Sequence, residues 1–291
     1  MAETRLPKAC IIGAGCSGFT TAKRLKDFGI PYDCFEISDE VGGNWYYKNP
    51  NGMSACYESL HIDTSKWRLA FEDFPVPADW PDFPHHAQLH QYFKDYVDHF
   101  GLRETITFRT AVDKARRNAQ GLWEVTLSTG ETRLYDVLFV CNGHHWSPRI
   151  PNYTGEFDGA AFHSHAYSDP FDPVDMRGKN IVVVGMGNSA MDIASELAQR
   201  PIAKNLWVSA RRGVWVLPKY MNGKPADTSA MARVPLTGMR MPATNSSIEM
   251  RPVSPAPKGS WRKVPEPTAD TRAYSCLPSP RLRLKPSAGL T

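Results

Sequence analysis

The sequence predicts an α/β fold built on two Rossmann-like βαβ units, and three observations carry that reading. A short apolar run, Ala9 to Ile12, leads into the glycine turn Gly13-Ala14-Gly15-Cys16-Ser17-Gly18. A second apolar run, Ile181 to Val184, leads into Gly185-Met186-Gly187-Asn188-Ser189-Ala190. The two stand about 170 residues apart with no shorter repeat between them, which argues for two like units rather than a solenoid.

The elements follow in order. After Gly18, the residues Phe19, Ala22, Leu25 and Phe28 recur at helical spacing until Gly29, a residue suited to ending a helix. Tyr32 to Phe35 reads as the second strand, closed by Glu36. Residues 86–100 form a helix with Leu89, Tyr92, Phe93, Tyr96 and Phe100 on one face. Ile106 to Phe108, Trp123 to Leu127 and Thr132 to Tyr135 read as strands around a turn at Ser128-Thr129-Gly130. Asp136 to Cys141 is an apolar strand ending at Asn142-Gly143. In the second unit Ala190, Ile193, Ala194 and Leu197 mark the inner face of a helix, and Leu206 to Val208 is the following strand.

Beyond about Pro225 the character changes. Residues 228–291 hold ten of the 24 prolines and no sustained period of 2 or 3.6, so they bury too little apolar surface to offset chain entropy. The expected division is a first dinucleotide domain over 1–150, a partial second over 151–226 and an irregular Pro/Arg-rich tail over 227–291. The fold is therefore expected to be incomplete at the C-terminus.

Composition narrows the function. The net charge of +4 is uneven: residues 228–291 carry ten of the 34 Lys/Arg but only three of the 30 acidic side chains. The body is thus weakly acidic, and a nucleic-acid partner is not expected. Apolar runs fall far short of the ~20 residues that span a bilayer, and Met1 to Ala9 has no secretory segment. No membrane partner and a cytoplasmic location are the expectations. The six cysteines include no CxxC pair, which argues against a redox dithiol or zinc ribbon, and no histidine spacing suggests a metal site.

Both glycine turns have a physical reading. Gly13 permits the tight turn, Gly15 lets backbone approach a pyrophosphate, and Gly18 lets helix and strand pack closely. The phosphates would sit at the helix N-terminus, beside Ala14, Cys16 and Ser17, where unpaired N–H groups favour anions. Glu36 stands at the end of the second strand, where a carboxylate accepts ribose hydroxyls. Gly185, Gly187 and Ala190 repeat the pattern with Asn188 and Ser189 between them. That unit's second strand ends in Ser209-Ala210-Arg211-Arg212, and a basic side chain such as Arg211 suits a 2′-phosphate. Two dinucleotides are expected, the second being NADPH rather than NADH.

Between the units, Phe157-x-Gly159-x-x-x-His163-x-x-x-Tyr167 matches the FxGxxxHxxxY fingerprint of flavin-containing monooxygenases. Gly42-Gly43-Asn44-Trp45 resembles the family's flavin-contacting GGxW. Tyr57 to Leu60, Thr64-Ser65-Lys66 and Asp73-Phe74-Pro75 resemble its segment beside the isoalloxazine. Ser209-x-Arg211 and Trp215 resemble the stretch after its second NADPH strand. The resemblance spans roughly residues 8–226. It implies FAD and NADPH as cofactors and O2 as co-substrate. It also implies oxygenation of a soft nucleophile, an amine or a sulfide, through a C4a-hydroperoxyflavin. That is an FAD- and NADPH-dependent monooxygenase of the N,N-dimethylaniline type. It implies that Gly43, Asn44, Trp45 and Thr64 contact cofactor. Asp63 stands where the family carries an Asn near the reacting oxygen, which makes it the candidate catalytic position. An ionised carboxylate only accepts hydrogen bonds, so the change alters what this position can do. The family runs to ~450 residues, and the resemblance implies a C-terminally truncated or frameshifted member. Two alternatives stay open at this point. One is an inactive FAD-binding remnant. The other is a Baeyer–Villiger oxygenase, whose relatives carry Trp where Tyr167 stands.

Overall fold

The computed structural model describes residues 5–199 and 202–228. The tail expected over 227–291 therefore lies outside the described residues beyond Thr228. The chain divides into two compact units. The first comprises the described residues up to His61, Phe71–Val76 and Pro84–Arg149. The second comprises Ile62–Ala70, Pro77–Phe83 and the described residues after Arg149.

The first unit is a three-layer sandwich. Strand β1 (Ala9–Ile12) is followed by helix α1 (Cys16–Asp27) and strand β2 (Tyr32–Phe35). Helix α2 (His86–His99) and the short strand β3 (Ile106–Thr107) come next. Three strands then form an antiparallel sheet: β4 (Val112–Arg117), β5 (Trp123–Leu127) and β6 (Thr132–Tyr135). Strand β7 (Val137–Val140) closes the unit. The parallel sheet has the order β3-β2-β1-β7, with Ile12 opposite both Phe35 and Val140.

Side-chain alternation on β1 and β2 builds two cores. On one face Cys10 and Phe35 join Val125, Leu127 and Tyr135 of the antiparallel layer. Towards the helices, α1 buries Phe19, Ala22 and Leu25, and the Phe19 ring lies 5.1 Å from Phe93 and 5.3 Å from Tyr96 of α2. Burying a side chain the size of Phe19 contributes about 2–3 kcal/mol. Helix α2 begins at a histidine cap. His85 Nδ1 accepts from Ala87 N at 3.2 Å, and Gln88 Oε1 accepts from His85 N at 3.1 Å.

Two sequence expectations shift. Ile106 and Thr107 pair with β2 in the parallel sheet, and Phe108 stands outside the strand. The third antiparallel strand is β4, whose sequence VDKARR carries too few apolar residues to announce a strand. Its Val112 and Ala115 pack against the core while the charged residues face water.

The second unit repeats the first unit's opening. Strand β8 (Asn180–Val184), helix α3 (Asn188–Leu197) and strand β9 (Asn205–Ser209) form a parallel βαβ. A single helical turn, Lys66–Leu69, and a two-residue hairpin, β10 (Tyr220–Met221) with β11 (Lys224–Pro225), belong to the same unit.

Candidate dinucleotide sites

The two glycine turns superimpose in their hydrogen bonding. Gly13 N donates to Phe35 O at 2.8 Å, and Gly185 N donates to Ser209 O at 2.8 Å. Each turn therefore sits at the carboxyl end of its parallel strand pair. Gly13 (φ +95°) and Gly185 (φ +129°) both occupy backbone space that other residues rarely enter. Both helices begin one residue after the motif's second glycine, Gly15 or Gly187, and neither has a side-chain cap. Their first N–H groups are thereby left to an outside acceptor.

Steric room separates the roles of the glycines. A Cβ on Gly18 would lie 1.9 Å from Gly13 O, and one on Gly13 would lie 2.7 Å from Cys141 O. Those two glycines serve packing. A Cβ on Gly15 would meet only the Gly43 backbone, its Cα at 3.7 Å and its N at 4.0 Å, and one on Gly187 would meet nothing within 4 Å. At those two the space beside the turn is open.

In the first unit Gly42 N donates to Ala14 O at 3.3 Å, which lays the short 3₁₀ turn Gly43–Trp45 against the glycine turn. Asn44 Oδ1 accepts from Ala55 N at 2.9 Å, tying this turn to the next loop, and Trp45 is half-buried. Cys16 and Ser17 are exposed, and Ala14 is buried. Glu36 is buried, and its oxygens accept from Ala14 N at 2.6 Å and Ser38 N at 2.7 Å. The carboxylate expected to meet a ribose thus first anchors the turn itself. Each oxygen retains a lone pair for a hydroxyl.

In the second unit Gly187, Asn188 and Ser189 are exposed, while Ala190 is half-buried. The equivalent of Glu36, one residue past the second strand, is Ala210. No acid therefore occupies that strand end, and the exposed Arg211 follows it. Asp63 and Thr64 are exposed, and Asp63 Oδ2 accepts from Asn188 Nδ2 at 2.5 Å. The sequence placed Asp63 and Asn188 in separate motifs, and the structure brings them together.

Packing explains the tyrosine of the FxGxxxHxxxY stretch, while Phe157 and Gly159 are exposed. The Phe157 ring lies where a Cβ on Gly159 would come within 2.5 Å, and His163 Nδ1 accepts from His165 N at 3.0 Å to cap a 3₁₀ turn. Tyr167 is buried and donates to Glu196 on α3 at 2.8 Å. The fingerprint tyrosine thereby holds its segment to the helix of the second dinucleotide unit.

Sequence reasoning missed two partners of this region, Lys219 and Asp227. Lys219 Nζ lies 3.7 Å from Asp63 Oδ1. Asp227 Oδ2 accepts from Ser65 N at 2.7 Å. Neither residue sits in a motif, and only the fold brings them to the segment near Asp63.

The sequence pattern of the Flavin-binding monooxygenase-like family matches residues 7–246. The chain belongs to that family. It is 38% identical over 234 residues to rat dimethylaniline monooxygenase [N-oxide-forming] 2, covering 76% of this chain and 43% of that protein. The chain spans less than half the length of the curated relatives it matches. Among solved structures, S-allyl-L-cysteine S-oxygenase from Allium sativum is similar with a TM-score of 0.64 at 26% identity. That likeness covers 75% of this chain and 54% of the other. OTEMO in complex with FAD and NADP gives a TM-score of 0.58 at 27% identity, covering 73% of this chain and 40% of its own. Within the family these neighbours share the Rossmann-like architecture built around the two glycine turns.

Among the described residues no group of three or more His, Cys, Asp or Glu could hold a metal ion. No described helix is long and apolar enough to cross a membrane.

Proposed function

We propose that this chain carries the FAD- and NADPH-binding elements of a monooxygenase that transfers one atom of O2 to an amine nitrogen or a thioether sulfur. The observation that carries this reading is the pair of uncapped helices. Each starts after a glycine on which an added Cβ would meet no close neighbour, and each stands at the end of a parallel strand pair. Gly13 to Gly18, Glu36, Gly43, Asn44 and Trp45 would hold FAD. Gly185, Gly187, Asn188, Ser189, Ala190 and Arg211 would hold NADPH. The substrate class follows the relatives, one named for N-oxide formation and another for S-oxygenation.

The oxygen-activating chemistry would come from bound FAD, with NADPH as the hydride source. The chain's own residues bind and orient. The N-termini of α1 and α3 present N–H groups to the pyrophosphates. Glu36 locks the first turn to β2 while keeping a lone pair for a ribose hydroxyl. A cytoplasmic location is part of the proposal, since the five described cysteines are free thiols, as a reducing compartment maintains.

The test is spectroscopic. The purified chain should show a bound-flavin absorbance spectrum that NADPH bleaches under nitrogen, and air admitted with an added tertiary amine or thioether should restore it with formation of the N- or S-oxide. Retention of no flavin after reconstitution with excess FAD would overturn the reading. NADPH should be preferred over NADH. Arg211 is exposed, so its contact with a 2′-phosphate should contribute about 1 kcal/mol, a roughly fivefold preference. Arg211→Ala should remove that preference without altering NADH binding.

A further inference from the structure

We infer that Asp63 lowers the affinity of the second glycine turn for its dinucleotide, by holding a carboxylate against the Asn188 side chain at the start of α3. The inference rests on the proposed NADPH site. Asn188 is the first residue of α3, and the N-cap before it, Gly187, offers no side chain. A carboxylate of the chain reaches this residue: Asp63 Oδ2 accepts from Asn188 Nδ2 at 2.5 Å. The other carboxylate oxygen lies 3.7 Å from Lys219 Nζ, and both side chains are about half exposed.

The backbone beside Asp63 is anchored. Two and three residues on, Ser65 N donates to Asp227 Oδ2 at 2.7 Å and Lys66 N donates to Asp82 O at 2.7 Å. The buried Lys66 ammonium donates to the carbonyls of Ala78 and Trp80. The backbone carrying Asp63 is therefore tied to two other segments of the same unit. The first turn has no counterpart: its acid, Glu36, spends its charge on Ala14 N and Ser38 N. In the second turn an incoming pyrophosphate shares the helix N-terminus with a like charge and competes for the Asn188 amide. Lys219 offsets part of that charge from the far side.

Asp63 acts on the pyrophosphate, which NADPH and NADH share, whereas Arg211 acts on the 2′-phosphate, which only NADPH carries. The two effects separate cleanly by calorimetric titration of the purified chain. Asp63→Asn preserves size and an acceptor oxygen while removing the charge, and Asp63→Ser is the second variant. Both should bind NADPH and NADH more tightly by the same factor, about three- to tenfold at low ionic strength. The gain should shrink as salt screens the exposed pair, and adenosine, which carries no phosphate, should bind all three proteins alike. Equal low-salt affinities for NADPH in the wild-type chain and both variants would overturn the inference alone. Failure of all three proteins to bind NADPH at any salt concentration would overturn the proposed NADPH site, and the inference with it.

Discussion

At the residue scale, the glycines of the first turn divide by what a methyl group would strike. Gly18→Ala places a Cβ 1.9 Å from Gly13 O, so strand and helix must separate. It should cost about 3 kcal/mol and lower the unfolding temperature sharply. Gly15 has an ordinary φ of −70° and only the Gly43 backbone nearby, so Gly15→Ala should change stability by less than about 1 kcal/mol. The same methyl fills the proposed phosphate approach and should weaken FAD binding roughly tenfold or more. Thermal unfolding and flavin titration of the two variants check this; equal stability losses would contradict the division of roles.

His86 gives the acid response. It is buried at the start of α2 with Nε2 donating to Glu58 O at 3.1 Å, and Nδ1 has no partner. Burial first, and then the neighbouring His85, pull its pKa from 6.5 down to about 4. The folded chain holds it neutral, whereas the unfolded chain protonates it below 6.5. Its stability contribution is therefore intact above that value and declines as pH falls towards 4, by about 1–3 kcal/mol. Denaturation midpoints between pH 7 and 4.5 should fall less steeply in His86→Gln than in the wild type. Matching slopes would assign the acid response to other groups.

At the scale of elements, the three longer helices differ in how they begin, and the difference tracks their use. Helix α2 is closed by His85 and Gln88 and serves packing, while α1 and α3 are left open. Tyr167 belongs at this scale because it joins a connecting segment to α3 through Glu196. Tyr167→Phe keeps the buried ring and removes the hydroxyl, and should cost about 1–2 kcal/mol. Glu196→Gln retains an acceptor and should cost less. Chemical denaturation of both, with wild type as reference, measures it, and a neutral Tyr167→Phe would show that the ring alone holds the segment. The βαβ elements were legible because apolar runs, glycine turns and helical spacing coincide. Strand β4 was not, since its half-buried Val112 and Ala115 stand among four charged residues whose outward direction only the neighbouring strand defines.

At the scale of the whole molecule, apolar side chains remain in contact with water. Val140, at the end of β7, is 65% exposed, and Trp215 and Leu217 are 84% and 77% exposed. Exposed apolar residues of this size favour association. Sedimentation of the purified chain should show concentration-dependent oligomers. Substituting Trp215→Ser and Leu217→Ser together should shift the distribution towards monomer, whereas an unchanged distribution would place the association elsewhere. The assignment of Ile62–Ala70 and Pro77–Phe83 to the second unit has no signal in composition. It depends on long-range bonds such as Ser65 N to Asp227.

The sequence by itself determined the two glycine turns, their strand and helix contexts, and membership in a flavin-binding family. Those features are local: φ preference, side-chain size and apolar period act within a few residues, so they can be read in order along the chain. Tertiary structure alone decided that Glu36 anchors the turn it faces, that Tyr167 reaches α3, and that Asp63 rests on Asn188. The last pair is separated by 125 residues. A hydrogen bond between residues so far apart is set by the path of the intervening chain, and local preferences do not specify that path.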